Sequence, residues 1–138
     1  MKKFCFLLLV ALVLIPLSSI SLASKTDYSD TPFDPSRFTL INAVVARLTI
    51  SGGVATCGGQ IEAKYSSASC SVTAKLQKKQ TNGSWKTIKT WSSSDTFIAS
   101  AGGNYSVSSG TYRVYVTGTV RYNGSSETAS VSSPIRTY

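Results

Sequence analysis

The chain has 138 residues, 42% of them hydrophobic and 14% charged, with a formal net charge of +8 and no histidine. The lack of histidine removes His-dependent triads, histidine metal sites and the usual neutral-pH proton shuttle. The positive charge favours acidic partners without specifying a fold.

Met1-Lys2-Lys3 precedes an uncharged run from Phe4 to Ile15, then Pro16, serines and Ser21-Leu22-Ala23. A basic start, a short apolar core and small residues at the last and third-last positions describe a secretory signal peptide, residues 1–23. The apolar run is too short for a membrane span, which needs about 20 residues. Export is therefore expected, to an extracellular or cell-envelope location, with no transmembrane segment after cleavage. Residues 24–36 are polar and aperiodic, and read as a flexible leader in which only Phe33 offers anything to a core.

Residues 37–138 read as one β-sandwich domain. Serine, threonine and glycine are abundant, and no long stripe of 3.6-residue period appears, so the class is all-β. Phe38, Leu40, Val44, Ala46, Leu48 and Ile50 share one parity, giving a long first strand bent or bulged near Asn42. Ser51-Gly52-Gly53 turns the chain. Val54 to Lys64 returns with Ala55, Cys57, Ile61 and Ala63 inward, and Gly58-Gly59 marks a bulge or a close backbone approach.

The stretch from Cys70 to Trp91 is the clearest hairpin, with Val72, Ala74 and Leu76 alternating with polar residues and Asn82-Gly83 at the turn. Two registers are open. A tight turn pairs Leu76 with Lys89 and Ala74 with Trp91. A three- or five-residue loop lets Leu76 share its face with Ile88 and collects Lys75, Gln77, Lys79, Trp85, Thr87, Lys89 and Trp91 on the other. The second is preferred, because the first places Lys89 on the dry face and Ile88 in water, although bulges rescue such conflicts. Ser92 to Asp95 reads as a loop, and Phe97 to Ala101, then Tyr105 and Val107, as short strands around Gly102-Gly103-Asn104. Tyr112, Val114, Val116, Gly118 and Val120 form the inward set of a second hairpin, with its turn at Asn123-Gly124 and Ala129 and Val131 on the return. About seven short strands predict a two-sheet antiparallel sandwich.

Ser108-Ser109-Gly110-Thr111-Tyr112-Arg113-Val114 resembles the turn into strand F of immunoglobulin-like domains. The resemblance implies an immunoglobulin-like sandwich in which Tyr112 closes the corner by bonding back to upstream main chain. Val114 then stands where antibody domains carry their second core cysteine. The whole mature chain is also similar to small secreted bacterial proteins of uncharacterised families, which implies a compartment but no activity.

Cys5 leaves with the signal peptide, so Cys57 and Cys70 remain as an even pair. In an oxidising compartment they are expected to form a disulfide, with two buried thiols as the alternative.

The six carboxylates show no spacing that points to a catalytic pair. No catalytic residue, metal site or cofactor is expected. The best binding candidate is the hairpin face of Lys75, Lys79, Trp85, Lys89 and Trp91, whose indoles and ammonium groups suit an anionic cell-wall polymer or glycan. The competing reading places the tryptophans in the core. Nucleic acid is disfavoured as a partner for an exported chain without a recognised module. The alternative role is a structural or protein-interaction domain, including an exported effector or bacteriocin-like protein.

Overall fold

The computed structural model describes residues 32–138, so the expected signal peptide, residues 1–23, and residues 24–31 of the expected leader lie outside the described residues. Eight strands are arranged in two antiparallel sheets: β1 (Ile41–Ser51), β2 (Val54–Ala63), β3 (Ser69–Lys79), β4 (Trp85–Thr96), β5 (Ile98–Ser106), β6 (Thr111–Tyr122), β7 (Ser125–Ser132) and β8 (Arg136–Thr137). One sheet has the order β1-β2-β5, the other β4-β3-β6-β7, with β8 continuing beside β6. The all-β two-sheet sandwich is as the periodicity predicts.

Period-2 alternation builds the core. Val44, Ala46, Leu48, Cys57 and Ile61 from one sheet meet Val72, Ala74, Leu76, Val114, Val116 and Val120 from the other, all buried. Fully burying a branched aliphatic of this kind stabilises by roughly 1.5–3 kcal/mol. Two glycines set the sheet separation. A Cβ on Gly59 would lie 2.7 Å from Val116 Cγ2, and one on Gly118 would lie 2.5 Å from Ile61 Cδ1. The β2 register runs without a break through Gly58 and Gly59, so the glycines mark close packing and not a bulge.

The irregularity foreseen near Asn42 is present, between Ile41 and Ala43. Asn123 (φ 48°) and Gly124 (φ 76°) make the tight turn between β6 and β7, the left-handed pair that a twisted hairpin requires. Two expectations change. Ser92 to Asp95 stays paired with β3, and the segment around Gly102 and Gly103 is one continuous strand against β2. Both runs lack the apolar alternation that announces a strand, because their outward positions carry serine, asparagine or no side chain.

Between β4 and β5 the chain passes from one sheet to the other through a single residue, Phe97. It holds φ 70°, a left-handed conformation that costs a non-glycine residue about 1–3 kcal/mol. Its main chain is tied on both sides: its N–H donates to Ala68 O at 2.9 Å, and its carbonyl accepts from Ala63 N at 2.8 Å. At the other end of the molecule the Tyr112 hydroxyl donates to Ser108 O at 2.7 Å, closing the corner before β6.

The described end of the leader is ordered against the domain. Asp34 caps a single 3-10 turn, Pro35–Arg37, and Phe33 stacks on Phe38 with ring centroids 5.1 Å apart. Lys64 Nζ donates to the carbonyls of Pro35 and Phe38.

The expected Cys57–Cys70 disulfide is not formed; both are free, buried thiols. Hairpin geometry explains the correction. Cys70, at the start of β3, lies by the Ala63 backbone and donates its thiol hydrogen to Phe97 O at 3.2 Å. Cys57 sits six residues back along β2, a displacement of about 20 Å at roughly 3.3 Å per residue. A bridge needs Cα atoms within roughly 4.4–6.8 Å. Sharing an inward phase does not bring two residues to the same height in the sandwich.

Candidate functional site

The β3–β4 register decides which cationic and aromatic side chains meet. Lys79 lies opposite Trp85 and Gln77 opposite Thr87, but Leu76 lies opposite Lys89 and Ala74 opposite Trp91, so Ile88 is an extra residue. The five residues from Gln80 to Ser84 close the hairpin, and a bulge at Ile88 then changes the phase. Both registers weighed from the sequence are therefore realised, one on each side of the bulge. Ile88 packs against the core, while Lys89 escapes burial at the exposed outer edge of the sheet.

This phase change divides the predicted face. Lys75, Lys79 and Trp85 share the outer surface of the five-stranded sheet. Trp91 is turned toward the core and packs against it, with its indole Nε1 where a Cβ on Gly103 would come within 2.8 Å. Lys89 lies opposite Leu76, on the inward side. Trp91 and Lys89 are thus not part of the outer face.

The residues that complete the outer face come from β6. Arg113 lies opposite Gln77 and Tyr115 opposite Lys75. The Arg113 guanidinium sits over Trp85, its Cζ 4.4 Å from the ring centroid, and 5.6 Å from the centroid of Tyr115. Its Nε donates to Gln77 Oε1 at 2.8 Å, and Gln77 Nε2 donates in turn to Thr87 Oγ1 at 3.2 Å. Stacking and the Nε bond hold the guanidinium flat. Among the described residues no hydrogen bond occupies its two terminal nitrogens, the pair that grips a carboxylate or phosphate in a fork. One indole face is already covered by Arg113, so Trp85 acts first as the support for that cation.

Hydroxyl pairs continue the surface along the strands. Thr73 and Ser92 meet at 3.1 Å, Thr117 and Ser130 at 2.9 Å, and Thr119 and Thr128 at 2.8 Å. Arg121 stands exposed beyond them. The arrangement offers an anion fork, flanking ammonium groups and a row of donors and acceptors suited to hydroxylated ligands.

The described carboxylates are engaged elsewhere. Asp34 accepts from Ser36 N and Oγ, Glu62 from Asn42 Nδ2 at 3.0 Å, and Asp95 from Thr96 N at 2.7 Å. Glu127 accepts from Thr39 N and Oγ1, Leu40 N and Ile41 N. Desolvation pushes its carboxyl upward, but these four donors outweigh it and hold the group at about 2. Burial pushes the Cys57 thiol up to about 12, and also raises Cys70.

Among the described residues no helix is long and apolar enough to cross a membrane. No protein-family model matches the chain, and no curated protein matches it.

Proposed function

We propose that the chain is exported and acts as a non-catalytic, immunoglobulin-like binding module that holds an anionic envelope polymer or glycan on the outer face of its five-stranded sheet. The observation that carries this reading is the Arg113 guanidinium, stacked over Trp85, tied at Nε to Gln77 and presenting its terminal nitrogens. Lys75 and Lys79 add charge on either side of it. From Pro35 onward the chain has 11 basic residues against three acidic ones, so the wider field attracts the same class of ligand.

The immunoglobulin-like assignment is supported by the Tyr112 to Ser108 corner bond and by a strand order in which β1, β2 and β5 face β4, β3, β6 and β7. The non-catalytic reading is supported by the engagement of all four described side-chain carboxylates in structural hydrogen bonds. Export is supported by the tripartite start of the sequence and the Ser21-Leu22-Ala23 site. No cofactor is needed for binding of this kind.

Incubation with cell-wall fragments followed by a salt gradient tests the reading. Retention that falls as salt rises is the expected result, because exposed charges are screened within about 8 Å at physiological ionic strength. Passage through the fragments without retention at low salt would contradict it. Intact-mass measurement of the exported form should show a chain beginning at Ser24.

A further inference from the structure

We propose that the open edge of β7 accepts an extended, acidic peptide segment of another protein as an additional strand. β7 ends the five-stranded sheet, with β6 as its only neighbour among the described strands. Ser133 N–H donates to Val114 O, which sets the alternation: Val131 and Ala129 bond toward β6, and the main-chain groups of Ser132, Ser130 and Thr128 face away from it. Those groups border a cleft of about 520 Å³ whose opposite wall is built by Phe33, Arg37 and Phe38.

Among the described residues, the edge lacks the devices that normally block strand addition. Natural sheets guard their edges with lysines, prolines, bulges or a covering element. β4 has Lys86, Lys89 and the bulge at Ile88, and β1 has Arg47 and the irregularity at Asn42. β7, with the sequence SSETASVS, has no proline, lysine or bulge. Its single charge, Glu127, is turned to the amides of residues 39–41. An unguarded edge beside an apolar wall is the arrangement used for strand addition, where main-chain bonds supply affinity and pockets select side chains.

The occupant follows from size and charge. Residues 128–132 line the cleft, a length of about 16 Å at roughly 3.3 Å per residue, which fits about five residues of extended peptide. Arg37 and Asp34 are the charged side chains that line the cleft; Asp34 is engaged by Ser36, and the surrounding field is basic, with 11 basic residues against three acidic ones from Pro35 onward, so acidic side chains are favoured, with an apolar side chain directed at the Phe33–Phe38 stack. Residues of the 32–38 segment stand beside this edge, in the way of the flat approach that a second sandwich would need. Pairing uses the β7 main chain and does not require the polymer-binding reading to hold.

The probe is a pool of seven-residue, end-capped peptides alternating Val or Ile with Glu or Thr, added to the 15N-labelled chain. Saturable shifts should centre on the Ser130 and Ser132 amides, whose exchange with solvent should slow at least tenfold. Two N-methylated versions of the pool, one for each alternate set of amides, should differ, with the version methylated at the pairing amides failing to bind. Ser130→Pro removes an N–H that faces away from β6, a position where an edge strand tolerates proline. Because it also removes the Ser130 Oγ–Thr117 Oγ1 bond, Ser130→Ala is its control, and Ser130→Pro should bind at least tenfold more weakly than Ser130→Ala. Phe33→Ala should weaken binding severalfold. Absence of saturable binding, equal binding by both methylated pools, or shifts confined to the Trp85–Arg113 surface would overturn the proposal. So would a concentration-dependent dimer that Ser130→Pro abolishes, since that would place a second copy on the edge.

Discussion

The Glu127 carboxylate, near the middle of β7, accepts the Thr39 hydroxyl at 2.6 Å across 88 positions of sequence. The same carboxylate collects the amides of residues 39–41 and so fastens the entry of β1 to the opposite sheet. Glu127→Gln should cost about 1–2 kcal/mol, given the usual net worth of charge-assisted hydrogen bonds and the partial exposure of this one. The folded carboxyl sits at about 2 against an ordinary 4.5. Its contribution is therefore fully present above pH 4.5 and is lost as the pH falls toward 2. Denaturant titrations across that window should show a fall in stability for the parent chain and a flatter profile for Glu127→Gln; parallel profiles would show that the clamp contributes nothing.

The sheets close on each other where Gly118 meets Ile61. Gly118→Ala should destabilise by about 1–3 kcal/mol through overpacking, since its new Cβ would lie 2.5 Å from Ile61 Cδ1. Ile61→Val removes that atom. The double variant should therefore be more stable than the sum of the two single changes by about 1 kcal/mol, as read from thermal or denaturant unfolding. Simple additivity would mean that the close contact does not govern the sheet spacing.

Cys57 and Cys70 should behave as unreactive thiols in the folded domain. With Cys57 at about 12 against an ordinary 9.0, its thiolate fraction at neutral pH is lower by roughly a thousandfold. A thiol reagent should label neither site within the time it labels both after unfolding, and non-reducing mass spectrometry should give the mass of the dithiol. A deficit of two hydrogens would contradict the separation of the two residues along the sandwich.

Most of the fold is legible in the sequence because burial in a sandwich imposes a period of two. Val72 to Leu76 and Tyr112 to Val120 report their inward faces directly, and Asn123-Gly124 reports its turn. Height along the sandwich leaves no such mark, which is why Cys57 and Cys70 share a phase and still lie far apart. The site is legible in halves. Lys75, Lys79 and Trp85 follow from alternation on one hairpin, but the bulge at Ile88 carries Trp91 and Lys89 away from them. Arg113 and Tyr115 have the outward parity in β6 from the start. What local patterning does not encode is that β6 pairs along the other side of β3, a contact set by long-range topology.

The most direct measurement of the central claim is the salt concentration at which the parent chain, Arg113→Gln, Trp85→Ala and Lys89→Gln elute from immobilised cell-wall fragments. Arg113→Gln and Lys89→Gln remove the same charge, so the comparison isolates position. Arg113→Gln and Trp85→Ala should elute at clearly lower salt than the parent, the first through loss of the anion fork and the second through loss of its support. Lys89→Gln, at the sheet edge, should elute near the parent. Equal shifts for Arg113→Gln and Lys89→Gln would reduce the binding to net charge, and an unchanged Arg113→Gln profile would contradict the assignment of the outer face as the binding surface.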